Sequence, residues 1–554
     1  MKTKITRVLV LCLWIITYFP ADLSAQGIEI TSGATITASG AATIEINNGS
    51  FINNGSYFKG NETVLMSGGT AAMISGSSLS DFWNLSLTNT GGVSIDNGSA
   101  VTVSGTLSNT VGVDGLILKS NSSGYGSLIH GTAMVQGKVE RAIIGATWTE
   151  ANDGWHLLSS PVVNQSVSGQ WTPAGAGNDY DFYAWSESAL SDNWLNQKDA
   201  GNGITSFVPG QGYLVAYEQS ETKLFSGVLN TSAVSLSGLT HTSGNDYAGW
   251  HLAGNPYSSA IDWSNVNWTK TNIGANAKIW VEADMSYKDI TSDYANIIPA
   301  MNGFMVYVDE ATIGTLTIPV EARVHNTTNW LKSTPDGYLI LTARDLEHQS
   351  AQETILRVES AATNGFDLAF DSKFMAGFAP MFYSVCEGNY LSLNTIPKLD
   401  PGSVIELGFV RNNASDFSIG LSMGTMPEGL NAYLTDKFTG IITDLTATPV
   451  YYFTSTVGDN ANRFSLKFST VGINELTAND GLEVFAYGNT VYLSSLKSLS
   501  ATVLIRNLTG QLVQQTLVSG SSSVELGLPH LPAGVYIVTV IDGKLVRSKK
   551  IVLK

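Results

Sequence analysis

Residues Gly420 to Gly424 read GLSMG, the spacing in which a serine hydrolase places its nucleophile, here Ser422. That chemistry needs the serine on a sharp strand-to-helix turn, with an acid and a histidine following it. The surrounding DFSIGLSMGTMPEGLNAYL reads as strand, turn and strand, and the only histidine downstream is His530, so the match is read as chance. Cys386 is a nucleophile by type. It stands in the apolar, strand-like run MFYSVCEGNY and is expected to be a buried structural thiol. None of the seven histidines has a metal-ligand spacing such as His-x-x-x-His. His156 and His251 each follow a tryptophan and are read as satisfied structural residues. GNDYD, from Gly177 to Asp181, lacks the ligand count of a dedicated calcium loop and is read as a turn. Polysaccharide cleavage would need a Lys or Arg base, or carboxylates across a cleft. From Gly27 to His130 the only basic side chains are Lys59 and Lys119, and the spaced pair Asp96 and Asp114 is expected to serve turns. No catalytic, cofactor-binding or metal residue is assigned, and the chain is expected not to be an enzyme.

Tryptophan offers a different chemistry. Nine of the 12 lie between Trp155 and Trp330, and an exposed Trp face can stack on a sugar ring. Trp155 and Trp250 are the candidates for such glycan stacking. The competing reading makes them core residues, because they recur at matching places of a repeat.

The elements that would position these residues are all strands. The 554 residues exceed one core, so several domains are expected. Only 14% of residues are charged, against 43% hydrophobic and 55 glycines, a composition of strands and tight turns. The net charge of -17 argues against nucleic acid as a partner. Residues 1–25 read as a signal peptide: Lys2, Lys4 and Arg7, then the apolar VLVLCLWIITYF, with cleavage expected between Ala25 and Gln26. Cys12 would leave with it, so Cys386 would have no partner in the mature chain, and no later stretch is apolar enough to span a membrane as a helix.

Residues 26–148 consist of very short β-prone runs such as TIEI, TVLMS and VSID, broken by Gly, Asn and Ser. Each run is too short to bury a face alone, which is the rhythm of a solenoid. The segment resembles the parallel β-helix modules of bacterial surface proteins, a flat sandwich being the competing reading. GWHLLSSPV, from Gly154 to Val162, then returns as GWHLAGNPY, from Gly249 to Tyr257. Trp171 answers Trp263, YAWSES answers KIWVEA, and Gly212-Tyr213 answers Gly303-Phe304. Residues 149–240 and 241–330 are thus expected to be two copies of one β module. Residues 331–470 alternate as a β-sandwich, and 471–479 form a polar linker.

Residues 480–554 carry VLIRNLTGQLVQQ, LPHLPAGVYIVTV and a basic end, RSKKIVLK. Five of the 29 Lys and Arg residues fall in the last eleven positions. The order of strand, Thr-Gly turn, strand, Gly-Val-Tyr strand and basic edge resembles the type A C-terminal sorting domain of the type IX secretion system of Bacteroidota, an Ig-like fold. The resemblance implies export through the periplasm to the outer surface or medium, with the type IX translocon as partner and Gly510, Gly534, Val535, Tyr536, Lys549 and Lys550 in the sorting signal. It also implies release or attachment to surface lipopolysaccharide. The expected architecture is all-β: a β-helix-like solenoid, several β-sandwich domains, and the sorting domain last. The expected role is adhesion or surface architecture without catalysis; the alternative is a glycan-binding or carbohydrate-active surface protein.

Overall fold

In the computed structural model, the described residues are 23–25, 27–147, 153–173, 180–190, 192–310, 312–325, 337–422, 430–470, 483–487, 489–507, 510–542 and 545–553. Among them there is no α-helix, only strands and three single 3-10 turns. The chain forms two compact units, one of residues up to 427 with 432–468, the other of 428–431 with 469–554. Residues 1–22, Gln26 and the linker 471–479 lie outside the described residues. Leu23–Ala25 runs parallel to Thr43–Asn47.

The solenoid has three faces of stacked parallel strands. One carries Ile28–Ile30, Phe51–Asn53, Ala72–Ser75, Val93–Ile95 and Leu116–Leu118. A second stacks Thr43–Asn47, Thr63–Ser67, Asn84–Leu87 and Leu107–Asn109, and Ser80–Phe82, Ala100–Val103 and Ser127–His130 continue the third. Ile44 lies opposite Val64 and Phe51 opposite Ile74, so a coil takes 20–23 residues. Successive side chains of a strand point to opposite faces, so a three-residue strand can turn its first and third inward. That is why Val93 and Ile95, or Leu116 and Leu118, are buried while the residue between is not. Phe51, Tyr57 and Phe82 pack as an aromatic trio inside, with centroids 5.0–5.5 Å apart.

The polar punctuation binds coil to coil. Asn48 Oδ1 accepts the Gly69 and Thr70 amides at 2.8 and 2.9 Å, and Asn84 Oδ1 accepts the Thr106 amide at 2.8 Å. Gly76 has φ +116°, and a Cβ there would lie 2.1 Å from the Asn53 carbonyl oxygen, so the corner requires glycine.

The strand Gln136–Ile143 closes the solenoid and opens the first module. One edge continues the parallel stack, Ile117 opposite Lys138. The other pairs antiparallel with Glu221–Leu229 over eight residues. The first solenoid face therefore runs on into the first module as one eight-stranded sheet. One hydrophobic core extends from Ile30 through Trp171, Phe182 and Phe225 to Met301. The expected boundary at 148–149 thus cuts through a continuous sheet and core. The reason is a strand that serves two partners, which local sequence does not reveal.

The two modules share one topology. His156–Leu158, Tyr213–Tyr217, Tyr180–Trp185 and Trp194–Asn196 form a sheet in that spatial order; Trp250–Gly254, Gly303–Val308, Ile273–Val281 and Ser286–Ile290 repeat it. Leu158 faces Tyr213 as Ala253 faces Phe304, which places the sequence repeat in the same register. Val234–Leu239 flanks Gly314–Ile318 as Gln136–Ile143 flanks Glu221–Leu229. Each structural repeat therefore begins one strand before the sequence echo.

Residues 337–470 form a single ten-strand path, with Ser372–Lys373 paired to one side. Val404–Val410 and Asp416–Ser422 are five neighbours apart in that path, about 24 Å if the sheet were flat. Yet the Phe409 and Phe417 rings lie 5.0 Å apart, and Phe453 and Phe464 4.8 Å. The sheet folds over on itself around this aromatic core. Arg463 grips Asp436 with two hydrogen bonds of 2.9 and 2.8 Å, both side chains buried.

A second buried ion pair ties this sandwich to the second module. Lys278 Nζ lies 2.6 Å from Asp289 Oδ1 and donates to Ser392 Oγ at 2.5 Å, while Ser372 Oγ donates to Asp289. The two charged side chains are 1% and 3% exposed. Removing one partner would strand the other charge away from water. Lys278→Met or Asp289→Asn is expected to lower stability by about 3–5 kcal/mol, and Lys278→Met with Asp289→Leu to recover most of that loss, read from chemical denaturation midpoints.

The smaller unit has its own core. Thr490–Asn507 and Leu512–Gly527 form a long hairpin with register shifts near Leu499; Glu483–Tyr487 pairs with the start of the first strand and Gly534–Asp542 with its end. Leu545–Leu553 is the edge strand beside Gly534–Asp542. Val491, Val503, Ile505, Tyr536, Val538 and Ile551 fill the interior.

Candidate functional site

The residues singled out for chemistry are dispersed and bonded locally. Ser422 ends a strand and donates to the Ile340 carbonyl across the sheet. Gly424 lies outside the described residues. Cys386 is 8% exposed and donates to the Asn364 carbonyl at 3.3 Å; burial pushes its thiol pKa up, away from the reactive thiolate. Asp96 accepts the Asn97 amide, whereas Asp114 sits in a 3-10 turn and pairs with Lys138. Asp181, which closes GNDYD, lies 3.5 Å from Lys198; residues 177–179 are outside the described residues.

The tryptophans serve the joint between the modules. Trp185 Nε1 donates to the Trp250 carbonyl at 2.7 Å, and its repeat counterpart Trp280 donates to the Trp155 carbonyl at 3.0 Å. The Ser159 amide donates to the Met301 carbonyl, and the Gly254 amide to the Gly210 carbonyl. Bridges join Leu158 to Asn302 and Gln211 to Ala253. Each of these contacts has its counterpart, so the modules meet through an isologous, pseudo-twofold interface within one chain. Gly210 and Met301, at corresponding places, both have positive φ, +82° and +57°. Trp250 is 4% exposed and packs against Tyr307 at 5.3 Å, the burial of a core residue rather than of an exposed platform. Trp155 is half-buried, its ring 6.0 Å from Tyr183. Trp250→Ala should therefore cost about 3–5 kcal/mol and Trp155→Ala distinctly less, a difference visible in thermal midpoints.

The same symmetry pairs two glutamates, Glu187 in YAWSES and Glu282 in KIWVEA. Each histidine donates from Nε2 to a carbonyl before its module, His156 to Ile144 at 2.8 Å and His251 to Thr240 at 2.7 Å. Burial holds the His251 pKa down. At Glu187 the site is closed. The carboxylate, 3% exposed, accepts Thr240 Oγ1, the Thr242 amide and hydroxyl, and the Gly249 amide. Burial alone would raise its pKa, but these four donors outweigh that and hold it below the ordinary carboxylate value. A depressed folded-state pKa gives stability that is present at neutral pH and lost as pH falls through the carboxylate range. Glu187→Gln should accordingly be less stable at pH 7, and the gap to the unsubstituted chain should shrink on acidification, as followed by denaturation at several pH values.

At Glu282 the counterpart is open. The carboxylate pairs with His156 Nδ1, on the far side of the ring from the Nε2 that meets the Ile144 carbonyl. Beside it lies a cleft of about 820 Å³ at the junction of solenoid and modules. Its walls are the hairpin of Ser120–Asn121 and Gly124–Tyr125, the end of Gln136–Ile143, residues 220–222, and residues 280–283 with 295–302 of the second module. Arg141 lies in this cleft and donates from Nη2 to Asn302 Oδ1 at 3.3 Å. Burial weighs against its charged form, countered by Glu282 and Tyr125.

Sequence reasoning passed over Arg141, Glu187 and Glu282. The glutamates were legible, since they occupy the same place in the repeat; Arg141 carries no local signal.

In the smaller unit, Tyr536 is buried and donates to the Pro532 carbonyl at 2.9 Å. Val535 and Ile537 are half-buried, alternating with the buried Tyr536 and Val538. Gly510 has φ +81°, which favours glycine, whereas a Cβ on Gly534 would meet nothing within 3.8 Å. Lys549 and Lys550 lie on the edge strand opposite Val538 and Ile537, with Lys550 exposed. The strand register closes at Asp542 opposite Leu545.

A family described as "Domain of unknown function (DUF8693)" matches residues 59–350 and 345–468. The chain belongs to that family. Residues 488–554 match the family described as "Secretion system C-terminal sorting domain". No curated protein matches the chain. A solved structure titled "Biofilm associated protein - BSP domain" is 8% identical over 78% of this chain and 98% of its own, with a TM-score of 0.12.

Proposed function

We propose that this member of the DUF8693 family is a protein of the cell surface or medium, exported by a type IX secretion system of the kind found in Bacteroidota, whose delivered part serves adhesion or surface architecture without catalysis. The observation that carries the reading is the C-terminal sorting domain at 488–554, compact on its own and ending in a basic edge strand on which Lys550 is exposed. The leader of residues 1–25 would direct the chain to the periplasm, and the translocon would then read the edge strand. Release, or attachment to surface lipopolysaccharide, would come next. The absence of catalysis is supported by the bonding of Ser422, Cys386, Asp96 and Asp114, each tied to a neighbour and none brought together with another.

Recognition and folding can be separated on the edge strand. Ile551 and Leu553 are core residues, 4% and 1% exposed, so deleting 545–554 removes both signal and core. Lys549→Glu with Lys550→Glu leaves that core in place. In a type IX-competent cell both variants should accumulate in the periplasm with residues 27–468 protease-resistant. Residues 474–554 fused to an unrelated exported protein should carry it to the surface or medium. Surface delivery of the charge-reversed chain, or retention of the fusion, would show that the tail is a structural edge alone.

A further inference from the structure

We infer that the cleft beside Glu282 binds a saccharide bearing a carboxylate, with Arg141 receiving the carboxylate and the surrounding hydroxyl and amide side chains receiving the sugar hydroxyls. The first observation is an unbalanced charge. Arg141 is half-buried, and its Nε is sealed from solvent without an acceptor. Its hydrogen bond in the cleft goes to the neutral amide of Asn302. Among the described residues no carboxylate lies within ion-pair distance of it. The two acids of the cleft are engaged elsewhere, Glu282 with His156 and Glu221 with Lys223 at 2.7 Å. A half-buried guanidinium that Glu282 steadies only from beyond ion-pair distance is costly, and its planar fork matches a carboxylate. A charge left in this state and facing a cavity marks a site that a ligand completes.

The second observation is the character of the walls. The hairpin supplies Ser120, Asn121, Ser122 and Ser123, and the second module supplies Asn302. Hydroxyls and amides can both donate and accept, as sugar hydroxyls require. Trp280 adds a half-buried aromatic wall whose indole N–H is already committed to Trp155, so its contribution to a ligand is apolar. One cation and two carboxylates suit a single carboxylate better than a polyphosphate, which calls for several cations. The cleft of about 820 Å³ has room for a short oligosaccharide. The pseudo-twofold is asymmetric at the two glutamates. Around Glu187 the corresponding donors come from residues 240–249 of the chain itself.

This inference deepens the surface-protein reading, resting on it only for where the ligand is met; binding itself is measured on purified chain. The probes are trigalacturonate and its neutral counterpart, galactotriose, titrated calorimetrically. Trigalacturonate should bind, galactotriose should bind about tenfold more weakly or not at all, and Arg141→Gln should weaken trigalacturonate by about tenfold or more. Arg141→Lys, which keeps the charge but loses the fork, should fall between. Removing an unbalanced charge should leave the thermal midpoint of Arg141→Gln unchanged or raised. Equal affinity for the two trisaccharides, undiminished binding by Arg141→Gln, or no binding at about 1 mM would overturn the inference. So would a lowered thermal midpoint, which would make Arg141 a structural residue. The secretion experiment reads none of these quantities, so either reading can fail alone.

Discussion

Much of the larger unit depends on the double pairing of Gln136–Ile143. A parallel solenoid ends in an open edge of unpaired amides and carbonyls, which would invite another chain. Here one strand satisfies that edge on one side and accepts an antiparallel partner on the other. The solenoid is thereby capped by its own continuation, and the first module gains the strand it lacks. Arg141 rides on this same strand, so the cleft exists because the cap exists.

The modules show how a duplication can become an interface. Each copy alone would expose a sheet face carrying Trp, Tyr and Leu side chains. Packed about a pseudo-twofold axis, the copies cover one another, and the indole–carbonyl exchange of Trp185 and Trp280 fixes the register. Contacts that must be made twice restrict the backbone, as the matched positive φ at Gly210 and Met301 shows. Where the copies diverge, at Glu187 and Glu282, one glutamate is sealed by residues 240–249 at the start of the other copy, and the other opens on a cleft.

The smaller unit obeys a different logic. Its core is built from alternation along strands, while its edge keeps lysines that the core does not need. Gly510 is explained by its backbone conformation; Gly534 is explained neither by backbone strain nor by space, which leaves folding without a claim on it.

Short-range order was legible in the sequence. The three-residue strands of the solenoid, the repeated GWH and the buried Tyr536 follow from side-chain alternation and turn chemistry, which act over a few residues. The candidate site was not legible. Ser422, Cys386 and the carboxylates Asp96 and Asp114 have suggestive types, but chemistry needs convergence, and the fold keeps them apart. Trp250 has the composition of a sugar platform and became core because a neighbouring copy covered it. Arg141 and His156 are only fifteen positions apart, yet Glu282 comes from another module more than a hundred residues on. The alternation of apolar and polar residues decides which way a side chain points from its own strand. Which strand lies opposite depends on contacts between distant segments, and those alone decided that Glu187 would be enclosed, that Glu282 would face a cleft, and that Arg141 would be half-buried with no carboxylate at ion-pair distance.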